Sequence, residues 1–224
     1  MTLPRKRAVV FISGGGSNMM ALVAAAKAGD YPAEIVGVIS DKADAGGLAK
    51  AAAEGIATFA FPRKDYASKE AHEEAIFAAL DELSPDILCL AGYMRLLSGA
   101  FIQRYEGRMI NIHPSLLPLF PGLHTHQRAI DAGMRIAGCT VHFVTEGMDE
   151  GPVIGQAAVP VLSDDTADTL AARVLTVEHQ IYPQALRLFA EGKVRMEGGK
   201  AVSSGGNPVS SVGGQVVSLI GDRA

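Results

Sequence analysis

The sequence predicts an α/β protein built on a mainly parallel, twisted sheet with helices on both faces and antiparallel strands toward the C-terminal half. Three observations predict it. Short apolar runs at 8–12, 34–40, 56–61 and 86–91 alternate with segments whose apolar residues recur at helical spacing, the order of right-handed βαβ crossovers. A glycine-rich loop, Ser13-Gly14-Gly15-Gly16-Ser17-Asn18, sits between the first run and the first helical segment. Residues 136–144 and 152–159 are strand-like runs joined by a short polar loop, an antiparallel hairpin pattern.

Each element has its own justification. The unbroken apolar run 8–12 suits a strand covered on both faces. Met19, Leu22, Val23 and Ala26 then mark a helix that runs until Gly29. Residues 34–40 form a second strand, 41–47 a turn, and 48–54 an alanine-rich helix stopped by Gly55. A third strand at 56–61 precedes a helix over 68–83 with Ile76, Phe77, Leu80 and Leu83 on one face, and 86–91 is a fourth strand. Residues 108–113 make another short strand that ends at Pro114, and a helix covers 127–132. Asp164, Asp165 and Asp168 open a long helix whose buried face carries Leu170, Val174, Val177 and Ile181; Tyr182-Pro183 kinks it and Gly192 ends it.

At 224 residues and 48% hydrophobic, the chain can bury one sizeable core. Residues 1–197 read as one domain, and 198–224 as a Gly/Ser-rich hairpin and tail with no trustworthy period after 203. A net charge of −4 gives no basic footprint for nucleic acid or an anionic membrane. Cys89 and Cys139 sit far apart in apolar company and read as reduced core thiols. The apolar run after Arg5-Lys6-Arg7 is too short for a signal-peptide core or a membrane span. A cytoplasmic protein is expected.

Chemistry concentrates at strand ends, where ligands bind in such sheets. Backbone N–H groups at the glycine loop meet a helix N-terminus and favour an anion, while Ser17 or Asn18 can cap the helix or bind the anion. The loop lacks a P-loop lysine and G-x-G-x-x-G spacing, so a phosphate monoester fits better than a triphosphate. A tight turn that binds nothing fits equally. Asn111 and His113, two apart in a strand, point the same way. An amide and an imidazole so placed can hold an oxygen that gains negative charge, or they can merely satisfy a local turn. Thr140 and His142 share one face of the 136–144 strand. His124 and His126 invite a metal reading, but no third ligand follows at a recognisable spacing.

Asn111-Ile112-His113-Pro114-Ser115-Leu116-Leu117-Pro118 resembles the signature stretch of the folate-dependent formyltransferases. Residues 7–197 are similar, motif by motif, to the branch of that family that formylates phosphoribosylglycinamide. The resemblance implies the Rossmann-like formyltransferase fold and transfer of a formyl group from 10-formyltetrahydrofolate to the amine of 5'-phosphoribosylglycinamide, in purine synthesis, without a metal. It implies Asn111, His113 and Asp149 as catalytic residues, with Asp149 drawn from the Asp-x-Gly-Pro-Val-Ile pattern and its carboxylate favouring a protonated His113. It puts the ribose phosphate on Gly16, Ser17 and Asn18, with Gly15 shaping the turn, and the glycinamide end on Glu178 of Glu-His-Gln-Ile-Tyr-Pro. It implies folate contacts from Met94, Arg95, Leu96, Leu97, Asn111 and Asp149, and from Lys69 where relatives often carry arginine. A solvated helix-start lysine is the bland reading of Lys69, and an exposed helix-face glutamate that of Glu178. The expected state is a monomer or homodimer. A formyltetrahydrofolate hydrolase and a tRNA formyltransferase share the signature, but they carry an added N-terminal and C-terminal domain respectively.

Overall fold

A computed structural model describes residues 4–204, 209–212 and 215–219. Its internal contacts divide the chain into two units, Met1–Ile110 and Asn111–Ala224. The class is the α/β one that the sequence predicts, with parallel strands and flanking helices first and antiparallel strands later.

The first unit contains β1 (Lys6–Ile12), α1 (Ser17–Ala26), β2 (Ala33–Ser40), α2 (Gly46–Ala53), β3 (Ala57–Ala60), α3 (Lys69–Leu83), β4 (Ile87–Leu90) and α4 (Gly99–Arg104). Its strands lie in the order β4-β1-β2-β3, and the pairs β4–β1, β1–β2 and β2–β3 are parallel. Val9, Val10, Phe11 and Ile12 of the central β1 have no exposed surface, each such side chain contributing about 1.5–3 kcal/mol of burial. Ser68 caps α3 by accepting from Ala71 N at 3.1 Å. Glu73, buried on α3, accepts from Ser98 N at 2.8 Å and from the Ser98 hydroxyl, fixing the start of α4.

The second unit begins within β5 (Met109–His113) and continues through α5 (Thr125–Asp131), β6 (Ile136–Phe143), β7 (Val153–Pro160), α6 (Ala167–Ala190), β8 (Val194–Glu197), β9 (Lys200–Ser203), β10 (Val209–Val212) and β11 (Gln215–Leu219). The order is β10-β11-β7-β6-β5, with the pairs from β6 to β10 antiparallel. β8 and β9 pair as an antiparallel hairpin, from Val194 opposite Ser203 to Glu197 opposite Lys200. Beyond it the sequence offered no period, yet β10 and β11 are strands, and β11 pairs with β7 from Leu219 opposite Gly155 to Val216 opposite Ala158. The rest of the expected tail, 205–208, 213–214 and 220–224, lies outside the described residues. Thr166 and Thr169 close a capping box at the start of α6, which continues as one helix through Pro183. Gly192, at φ 71°, follows its end.

Candidate active site

β5 delivers Asn111 and His113 to one side of its C-terminal end, and the β6–β7 connection brings Asp149 to them. Nδ1 of His113 lies 3.3 Å from Oδ2 of Asp149. Nε2 of His113 lies 3.0 Å from the carbonyl oxygen of Phe120. A carbonyl only accepts, so Nε2 carries a hydrogen and donates it to Phe120. The ring therefore faces oxygen at both nitrogens, and it is buried.

Asp149 is held by its own loop. Its Oδ2 accepts from Gly122 N at 2.8 Å, and its backbone sits in the left-handed region at φ 56°, where Asp is several-fold enriched among non-glycine residues. Two positions on, Gly151 passes so close to β6 that a Cβ there would stand 1.7 Å from the Phe143 carbonyl oxygen and 3.3 Å from Nδ1 of His142. Only glycine admits this approach.

His142, for which the sequence suggested only a shared face with Thr140, touches the site directly. Its Nδ1 donates to the Phe143 carbonyl at 2.8 Å, which leaves Nε2 as an acceptor for the Asn111 amide at 3.1 Å. Burial lowers the affinity of this ring for a second proton, so it stays a neutral acceptor. At 3.9 Å from Asp149 Oδ1 a neutral ring forms no ion pair. Asn111 is thereby turned with its NH₂ group toward His142, and one amide hydrogen remains for another acceptor. Thr140 braces the loop after β5: its hydroxyl donates to Ser115 O at 2.7 Å and accepts from Leu117 N at 3.0 Å. The period of two in β6 is the signal that could have found both residues.

Glu178 is 6% exposed on α6, so it is not the solvated helix-face glutamate of the bland reading. His124 occupies the exposed N-cap position of α5 in a left-handed conformation. His126, half-buried, has an Nε2 with no partner among the described residues, and burial lowers its proton affinity. No group of three or more His, Cys, Asp or Glu that could hold a metal occurs among the described residues.

In the first unit, the glycine loop turns through Gly16 at φ 69°. A Cβ on Gly16 would meet Met19 Cε at 2.8 Å and Gly47 Cα at 3.0 Å. Neither Ser17 nor Asn18 caps α1: the N-cap is Gly16, and no side-chain cap bond forms. Capping lost because the αL turn at Gly16 starts the helix one residue before those side chains. Gly47 N donates to Gly14 O at 3.0 Å, and Lys50 Nζ to Gly15 O at 2.9 Å, so α2 braces the loop. Met94, Arg95, Leu96, Leu97 and Lys69 line one cavity of about 380 Å³. Met94 and Leu96 are 59% and 68% exposed, an apolar wall open to a flat ligand.

A profile of the formyl transferase family matches residues 6–186. The chain belongs to the formyl transferase family. It is 47% identical over 193 residues to the phosphoribosylglycinamide formyltransferase of Escherichia coli, covering 86% of this chain and 91% of that one. It is 49% identical over 199 residues to the trifunctional purine biosynthetic protein adenosine-3 of Bos taurus, covering 88% of this chain but only 20% of that much longer protein. Among solved structures, the phosphoribosylglycinamide formyltransferase of Brucella melitensis is 70% identical, with a TM-score of 0.81 over 89% of this chain and 100% of that one.

Proposed function

We propose that this formyl transferase moves the formyl group of 10-formyltetrahydrofolate onto the amine of 5'-phosphoribosylglycinamide, giving formylated product and tetrahydrofolate, in cytoplasmic purine (IMP) synthesis. The observation that carries the reading is the meeting of Asn111, His113 and Asp149, with the imidazole and carboxylate 3.3 Å apart.

The amine is the nucleophile, so no Ser or Cys attacker is required. Its attack on the formyl carbon pushes electrons onto the formyl oxygen and forms a tetrahedral oxyanion. The second amide hydrogen of Asn111 donates to that oxygen. The Nε2–H of His113 joins it, exchanging the Phe120 carbonyl for the stronger, charged acceptor. Asp149 holds the imidazole oriented, its Oδ2 3.3 Å from Nδ1. Collapse breaks the bond to N10 of the folate, which takes a proton while the attacking nitrogen releases one. The protein's other task is positioning. Gly15, Gly16, Ser17 and Asn18 take the ribose phosphate and Glu178 the glycinamide end. Met94, Arg95, Leu96, Leu97 and Lys69 are assigned to the folate, as are Asn111 and Asp149. The reaction is read as metal-independent.

The test is to mix the protein with 10-formyltetrahydrofolate, with and without phosphoribosylglycinamide and with a chelator present. Acceptor-dependent loss of the folate formyl group supports the transferase. Acceptor-independent loss would make it a hydrolase, no loss would make it a binding module, and a chelator-sensitive rate would end the metal-independent reading.

A further inference from the structure

The end of β1 is knotted to two other strand ends by one buried carboxylate. Asp41, immediately after β2, has a side chain only 2% exposed. One of its oxygens accepts the Ser13 hydroxyl, and the other accepts Arg95 Nε at 2.9 Å. The same Ser13 hydroxyl accepts from Met94 N at 2.8 Å, and Ser13 N donates to Gly92 O at 3.1 Å. Ser13 is also the residue from which the glycine loop departs. A second path reaches that loop from Asp41: the chain runs on to Gly46 and Gly47, where Gly47 N holds Gly14 O at 3.0 Å.

We propose that Asp41 is a positioning residue that couples the glycine loop to the 92–97 segment, so that filling one strengthens binding at the other. The proposal rests on the reading above, in which the loop takes the phosphorylated substrate and the segment takes the folate. The physical ground is the cost of a broken network. A buried carboxylate stripped of one partner is left with an unpaired charge, so the 92–95 backbone cannot shift while Ser13 and Asp41 stay still. Arg95, with its side chain 48% exposed, presents the rest of its guanidinium to the cavity, and the pull of a ligand there is passed inward through Nε. A ligand that fixes either end restricts the other before its own ligand arrives, and the second ligand then has less motion to freeze.

The experiment measures dissociation constants for tetrahydrofolate, with and without saturating phosphoribosylglycinamide, by titration calorimetry. With no formyl donor present, this ternary complex does not turn over. In the wild-type protein the acceptor should tighten tetrahydrofolate binding by about fivefold or more, and Asp41→Ala and Ser13→Ala should bring the ratio to within about twofold of unity. Asp41→Asn, which keeps an acceptor oxygen but not the charge, should retain part of the coupling. A residue that only stabilised the fold would weaken both ligands and leave the ratio intact. A wild-type ratio of one, or an Ala variant that keeps the wild-type ratio, overturns the proposal. Ser13→Ala decides if Asp41→Ala fails to fold. A wild-type protein that binds neither ligand defeats the proposed function and this inference with it; one that binds both without coupling defeats only the inference.

Discussion

Nε2 of His142 accepts the Asn111 amide at 3.1 Å while its Nδ1 donates to the Phe143 carbonyl at 2.8 Å. The backbone carbonyl fixes the tautomer, and the tautomer fixes which way the amide points. A residue remote in sequence thus orients the donor assigned to the oxyanion.

Replacing His142 by Phe keeps the bulk and removes the acceptor. Asn111 is then free to rotate, and kcat should fall by about 10- to 100-fold, the scale of a misplaced catalytic group. KM for each substrate should change little. Steady-state rates that stay within a factor of about two of wild type would show that the amide needs no such anchor.

His113→Ala removes the ring proposed as the second oxyanion donor. On the scale of oxyanion donors the loss should be about 3–4 kcal/mol of transition-state stabilisation, or roughly 10²- to 10³-fold in kcat. Single-turnover rates test this without interference from product release. A near-normal rate would take the imidazole out of the chemistry.

The glycine loop, proposed to take the phosphate, should respond in KM. Ser17→Ala and Asn18→Ala should raise KM for phosphoribosylglycinamide and leave KM for the folate unchanged. Gly16→Ala, strained at φ 69° and crowded by Gly47, should do the same and also lower the melting temperature. Equal acceptor KM in all three would remove the loop from substrate binding.

Burial lowers the proton affinity of His126, His142 and His179 in the folded protein. Below the unfolded value of about 6.5, the unfolded chain binds more protons than the folded one, so acid favours unfolding. Stability carried by these rings is present above that value and is lost as pH falls below it toward their folded values. Urea midpoints should therefore drop between about pH 7 and pH 5, and the slope should shrink in a His142→Phe, His179→Phe double variant. A midpoint flat across that window would contradict the burial of these rings.

Much of the frame was legible because it is local. The apolar run in β1, the glycine loop and the period of two that aligns Asn111 with His113 all lie within a few neighbouring residues. Asp149 was legible through its motif, not through its spacing. What escaped depends on pairing at a distance. The role of His142 arises from the register that sets β6 beside β5, and register is invisible in one strand alone. Ser13, Asp41 and Arg95 meet only because three strand ends converge. β10 and β11 consist mostly of Val and Ser and carry no clear alternation, so their strand character comes from pairing along β7. Glu178 lies on a helix whose period marked a buried face, but the pattern gave no sign that a carboxylate shared it.

The left-handed backbone at Asp149 limits what chemistry can be asked of that position. Asparagine enters αL about as readily as aspartate, whereas glutamate and alanine carry the ordinary steric penalty there. An Asp149→Asn protein should keep its melting temperature and lose rate, isolating the contribution of the negative charge. An Asp149→Glu protein, though it keeps the charge, should lose both. Conservation of shape and conservation of charge part company at this one residue, and the seemingly milder exchange is the more damaging.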